Sequence, residues 1–600
     1  MKQIILSATV ATAILFGTTG CSDKKTEGET VQQAKEVLPA VSLKERKSAF
    51  DSKIKILSEH GFDLNRTKAD SYLLTVKDEK QAVASLLGIL NMGTIDAEQK
   101  ALLEEAFKQG KIGIEVNWDK YAANEKESVF VYYLGNGDEA PYIQKLFMQK
   151  KIGAYLSYNG KDQLKHIKVK DIDETIKTDE NETTHITLKG MYAQIAKSPT
   201  KTDPKSDYDL FGGTFSYVLT DTENNNTFTI GYKNPECSVK KTNEYLGTQQ
   251  CRFPTFDIDF KTTSQNDAGT IHLSINDTVS TYKTTAHNKK IKAMMDFKIA
   301  SIDAKGEGLG KKGIMHIKDI KIVGNADNID EEVIKSYMTL LSHPPKDYNE
   351  TIIQLMSSAG KLYSSGMTFD YQTSIASIEG ESDEGKFMLD TYEGHGKGSF
   401  EHNINYKDVS SVKHISITDT KSQKPLLDLK NFKFGYEIND LYNFLPAFLE
   451  FSGALAVQNQ SGKEEISDEM EKKLTEMGMH LVHNGVGFSL KPIGWDALQT
   501  EANGKTIQLG KVDLLIDSQL KKNDVPLDAN NPMSAMMLLS YFNADGKLVL
   551  SKKDLEQLSA TMPPEMIGML MMFAKYEGEN AVFILKFENG HLMINGQPVM

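Results

Sequence analysis

The sequence predicts an α+β protein of extended antiparallel β-sheets with interspersed helices, helical at the N-terminal end and built of helix-then-hairpin units in its C-terminal half. Three observations predict it. Apolar residues spaced three and four apart open the chain from residue 43, long stretches of strict alternation follow, and from about residue 328 helical and alternating segments succeed one another.

Residues 1–20 read as a secretory signal. Lys2 precedes an apolar run from Ile4 to Phe16, shorter than the roughly 20 residues that span a bilayer. Gly17-Thr18-Thr19-Gly20 then lead into Cys21, as in a bacterial lipobox, although Thr18 stands where leucine is usual. The expectation is lipidation at Cys21, giving a periplasmic protein held to a membrane by its lipid, with inner or outer membrane left open. An ordinary cleaved signal and an uncleaved anchor are the alternatives. Residues 21–42 carry that cysteine and a polar, charged stretch unable to bury enough apolar surface to order itself, hence a tether.

The segments beginning at Leu43, Lys80 and Ala97 have helical spacing. Alternation then dominates to residue 327: Ile112, Ile114, Val116 and Trp118 share one side of a strand, as do Phe256, Ile258 and Phe260. Further runs lie at 128–134, 151–158, 184–192, 211–220, 226–232, 269–275, 291–301 and 313–323. Such period-two patterning marks strands with one buried and one wet face. In the region 328–600 helical segments (328–343, 349–363, 441–451, 466–485, 531–542, 563–576) alternate with strand pairs, and Pro532 and Pro563–Pro564 stand where helix starts accept proline.

A formal charge of -13 and the lack of a basic stripe argue against nucleic acid. With Cys21 assigned to lipid, Cys237 and Cys251 form an even pair suited to a disulfide in an oxidising compartment; two free thiols or a metal pair are the alternatives. Four of six Asn-x-Ser/Thr tripeptides, at Asn65, Asn181, Asn225 and Asn349, have an acidic residue two positions earlier, unlike Asn276 and Asn459. That extended sequon resembles the one used in periplasmic N-glycosylation, with coincidence in an Asn- and acid-rich chain as the alternative.

Methionine clusters at Met533, Met536 and Met537 and again at Met562, Met566, Met569, Met571 and Met572. These could pack a core, line an adaptable hydrophobic groove, or offer thioethers to Cu(I). The second cluster lies on a segment that is apolar all round, which favours burial. The groove candidates are Met533, Met536, Met537, Met566, Met569 and Met572. His480 and His483 have a spacing that permits shared metal coordination but lack a metalloprotease pattern, and read as surface or capping residues. Gly306, Gly308 and Gly310 before Lys311 lack Walker spacing and read as a hairpin turn. No nucleophile elbow, EF-hand or dinucleotide fingerprint is present. No catalytic, cofactor-binding or metal residue and no cofactor is assigned.

The layout of 361–389, 429–444 and 587–599, with Gly590, Leu592, Asn595, Gly596 and Pro598 near the end, resembles the YdgA-like family of bacterial envelope proteins, a domain of unknown function. Members of that family keep an N-terminal membrane segment where this chain has a cysteine-terminated signal. The resemblance implies the envelope and an α+β layout, and no catalytic residues. Three readings of function follow: a non-catalytic scaffold or partner-binding lipoprotein first, a carrier or chaperone for a lipid or other hydrophobic ligand second, and a hydrolase with an unrecognised site third. The carrier reading rests on the Met-rich helices and on long sheets able to form an apolar trough; sheets that enclose an apolar cavity would favour the carrier, and sheets that pack solid the scaffold.

Overall fold

The computed structural model describes residues 42–57, 61–78, 80–82, 111–134, 151, 153–158, 164–179, 181–194, 208–242, 246–263, 268–308, 310–342, 348–460, 468–502, 505–525, 532–559 and 564–599. Antiparallel sheet dominates, with helices in the minority. The chain divides into two compact units. One comprises Met1–Asn243, Cys251–Ala268 and Leu341–Pro344; the other comprises Glu244–Gln250, Gly269–Leu340 and Pro345–Met600.

The first unit opens with α1 (Leu43–Leu57), then β1 (Phe62–Lys68), β2 (Ser71–Val76), β3 (Lys111–Val116), α2 (Trp118–Ala122), β4 (Val129–Tyr133), β5 (Gly153–Tyr158) and β6 (Leu164–Val169). It continues through β7 (Ile172–Asp179), β8 (Glu182–Gln194), β9 (Tyr208–Asp221), β10 (Asn226–Lys233), β11 (Glu236–Lys241) and β12 (Gly247–Thr262). β1 to β6 pair in chain order; β8 then meets β6, β7 and β9, and β10 lies between β9 and β12. The alternation read from Ile112, Ile114 and Val116 delivers those residues to a buried core with Leu74, Tyr121, Val129, Leu156 and Ile167. Arg46 of α1 is buried there, its guanidinium 4.4 Å from the centre of the Tyr121 ring and donating to the Tyr121 carbonyl at 2.6 Å. Asn117 caps α2, its side chain accepting from the Lys120 amide at 3.0 Å. Cys237 and Cys251 are joined as a disulfide, both sulfurs buried, between β11 and β12.

The second unit is built on seven long strands: β13 (Gly269–His287), β14 (Lys290–Gly308), β15 (Lys311–Asp330), β16 (Met367–Ser382), β17 (Gly385–Phe400), β18 (Asn403–Asp419) and β19 (Pro425–Tyr442). Each pairs with the next. Helices α3 (Glu331–Ser342) and α4 (Tyr348–Ser364) separate β15 from β16; α5 (Leu445–Gln460) and α6 (Asp468–His483) follow β19. The sheet continues from β19 into β20 (Val486–Trp495) and β21 (Ala497–Ala502), with β22 (Lys505–Leu509) beside β21 and β23 (Val512–Leu520) beside β20. Last come α7 (Pro532–Tyr541), β24 (Phe542–Ser551), α8 (Lys552–Ser559), α9 (Pro564–Phe573), β25 (Lys575–Glu577), β26 (Asn580–Glu588), β27 (His591–Ile594) and β28 (Gln597–Pro598). Pro532 and Pro564 are the first residues of their helices, as the missing amide of proline favours. The helix-then-strand rhythm is present, but the first helix pair introduces four strands of 16 to 18 residues rather than a hairpin.

Candidate apolar trough

The seven long strands share a feature that only their pairing reveals. In β14 the apolar positions run Ile291, Ala293, Met295, Phe297, Ile299 and then, shifted by one, Ile302, Ala304, Gly306. The same slip occurs between Ile317 and Ile320, Ile375 and Ile378, Leu389 and Tyr392, Val412 and Ile415, and Leu429 and Phe432. At each slip one position drops out of the ladder, and between β15 and β16 two do, giving a column through Asp277, Ala300, Asp319, Ala376, Thr391, Lys413 and Asn431. Asp277, Asp319, Thr391 and Asn431 there are left-handed, with φ of 47°, 50°, 51° and 52°. A bulged residue breaks the inward–outward alternation of its strand. Because every strand carries one in the same column, register is kept and the apolar series continues on one face.

The opposite face is polar. Ser274, Asn276, Ser301, Asp303 and His316 form one hydrogen-bonded chain, with His316 Nδ1 2.6 Å from Asp303. The hydrogen bond from His316 holds the Asp303 carboxyl below its ordinary range. Lys318–Glu379, Lys298–Asp296, Lys407–Glu437 and His395–Asp370 add ion pairs on the same side. Met294, Ile314, Val323, Met388 and Val409 interrupt it.

Seven strands of 16 to 20 residues make a face on the order of 30 by 55 Å at ordinary strand spacing and rise. Patches of several hundred Å² already mark binding surfaces. At one end this face hollows into an open depression of about 600 Å³. Ile271, Met315, Phe387 and Ile417 line it, and Ile271 keeps 57% of its surface exposed, Met315 40%. Its floor is low because Gly306, Gly313, Gly380 and Gly385 fall in adjacent strands. A Cβ at Gly306 or Gly313 would meet no atom closer than 3.9 Å. At the other end α4 contributes Leu362, which packs with Ile334 and Met367 against Leu246, Ile291 and Ile329, while α4 and α5 pack on each other through Gly360 on Pro446 and Gly453 on Met356.

The methionine clusters divide differently from the expected groove. Met533, Met536 and Met537 are exposed at 60%, 64% and 48% on α7; none of them lines the depression. The wholly apolar second segment predicts burial, yet on α9 Met571 and Met572 are exposed while Leu570 and Phe573 turn inward. A helix without a polar face gives no signal of which side faces solvent. The side chains of Met566 and Met569, and Met562 as a whole, lie outside the described residues, as does Cys21.

Asn65, Asn181 and Asn225 are exposed, Asn225 at the tip of the β9–β10 hairpin. Asn349 sits in the first turn of α4, with the Thr351 of its sequon buried. His480 stacks on Tyr442 at 5.0 Å and His483 donates to the Val525 carbonyl at 2.8 Å, so the two serve separate contacts. Gly310 closes the β14–β15 hairpin with φ 74°. Asn595 explains its own motif: its amide donates to the Phe573 and Val582 carbonyls and its oxygen accepts from the Ile584 amide, pinning the C-terminal hairpin.

Among the described residues no group of three or more His, Cys, Asp or Glu is placed to hold a metal, and no helix is long and apolar enough to cross a membrane. Comparison with protein families, with characterised proteins and with solved structures finds no match to this chain.

Proposed function

We propose that the protein is an exported envelope protein whose second unit carries or shields the acyl chain of a lipid along the apolar face of its long-stranded sheet. The observation that carries this reading is the face itself: a mainly apolar series carried through seven paired strands, exposed at Ile271, Met315 and Phe387 around the open depression and backed by a hydrogen-bonded polar side. Water leaves such a face at a gain of about 25 cal/mol per Å² covered, so an apolar chain is its natural occupant. The first unit, with its buried apolar core, fits a supporting role. The signal, the acylated Cys21 and the YdgA-like resemblance belong to the same proposal: a periplasmic lipoprotein on a tether, with no catalytic step.

Native mass spectrometry of the full chain purified from its host without detergent tests the carrier reading. Bound mass that extracts as acyl lipid is expected; a ligand-free protein that also refuses added fatty acid contradicts it. Replacing Cys21 with alanine tests the anchor separately, since a lipoprotein then loses its membrane fraction. Exposed Met533, Met536 and Met537 on a helix without a charged residue support a second reading, a partner-binding surface, which would leave the trough empty.

A further inference from the structure

One acidic residue breaks the apolar face. Asp408 occupies an apolar position of β18, between Tyr406 and Ser410, and is only 9% exposed. Its row across the sheet runs Tyr371, Gly396, Asp408, Tyr436. Gly396 has no side chain, so the Tyr371 ring lies flat across β17; a Cβ at Gly396 would fall 2.4 Å from it. Phe369 crosses Gly398 in the same way, at 2.7 Å. This crossing brings the Tyr371 hydroxyl 2.6 Å from Asp408 Oδ2, beside the Tyr406 hydroxyl at 3.1 Å, while the Ser410 hydroxyl donates to Oδ1 at 3.2 Å. The Phe369 ring is within 28° of parallel to those of Tyr371, Phe400 and Tyr406, so the rings tile a floor around the carboxylate. Burial first, and the Asp408 hydrogen bond second, push the Tyr371 hydroxyl above its ordinary pKa.

On the polar face Glu379 has Lys318 as its partner and Asp370 has His395. Among the described residues Asp408 has hydroxyl donors alone. A desolvated carboxylate without a countercharge is costly, and neutral donors offset only part of that cost. Aromatic faces around a carboxylate also attract a cation, ammonium groups above all. We propose that Asp408, with the rings of Phe369, Tyr371, Tyr406 and Tyr436, receives the ammonium group of an amine-bearing lipid whose chain lies in the trough. This assignment rests on the trough reading and deepens it. The ammonium supplies the missing countercharge, and β18 itself leads from Asp408 to Ile417 of the depression, about 30 Å along a strand.

Titration calorimetry of the full chain with lysophosphatidylethanolamine and lysophosphatidylglycerol of one chain length, below their micelle concentrations, tests it. The ethanolamine lipid is expected to bind about tenfold more tightly, and Asp408→Asn to weaken that lipid alone by about tenfold. Equal affinities in the unmodified protein overturn the ammonium assignment and leave the trough standing, whereas binding of neither lipid overturns both. If Asp408→Asn fails to fold, choline chloride against sodium chloride at equal ionic strength decides. Selective loss of the ethanolamine lipid in choline supports the site, and identical effects of the two salts refute it.

Discussion

Filling the glycine floor separates binding from folding. Gly306 and Gly313 face each other across β14 and β15, both outside the left-handed region, with open space where a Cβ would stand. Leucine at both positions places two branched side chains on neighbouring strands without moving the backbone. Together they displace an acyl chain over roughly four methylenes, at about 0.8 kcal/mol each. Binding should therefore weaken by about 3 kcal/mol, on the order of a hundredfold. Stability should hold or rise, because glycine inside a strand costs roughly 0.5–1 kcal/mol relative to alanine. Displacement of a fluorescent fatty acid reads the affinity, and urea unfolding of the same samples reads the stability. A folded Gly306→Leu/Gly313→Leu variant with unchanged affinity would refute the trough as the binding site. A loss of several kcal/mol would show instead that the floor is packed.

Replacing Cys237 and Cys251 with serine opens a loop whose ends are 14 residues apart, and the chain-entropy model puts the loss at about 3 kcal/mol; unfolding should report it in the first unit, with lipid affinity unchanged. Thr391→Asn relieves a β-branched residue held at φ 51° and should raise stability by about 1 kcal/mol in the same assay. The depressed Asp303 carboxyl contributes stability that is present above its unfolded pKa and lost as pH falls through the lower folded value. Asp303→Asn should accordingly flatten the acid limb of stability measured from pH 5 down to pH 2, and an unchanged slope would count against the His316 contact.

Strands such as β3, β4, β10 and β14 are legible because each has its own alternation, and α1, α3 and α6 because their apolar residues recur every three or four positions; β1 and β2 are not, since they follow an opening whose spacing reads as helical. What stayed hidden is relational. The slip between Ile299 and Ile302 reads as noise in one strand and acquires meaning only when Ile317 and Ile320, or Leu429 and Phe432, are paired beside it. The lengths of the strands were hidden for the same reason, since a slip looks like the end of a strand. Asp408 was visible as an acid in the series Ile404, Tyr406, Ser410, Val412, but nothing local tells that Tyr371 reaches it over Gly396. The α7 methionines show the reverse limit: apolar composition does not distinguish a helix covered by its own chain from one left open.

Photo-crosslinking in the living host tests the central claim most directly. A diazirine-bearing amino acid placed one at a time at Ile317 and Leu389, on the apolar face, and at Lys318 and Asp390, on the polar face, asks which side of β15 and β17 meets lipid. Lipid adducts at 317 and 389 but not at 318 and 390 are predicted. Equal labelling of the two faces, or none at 317 and 389, would contradict a lipid-bearing trough.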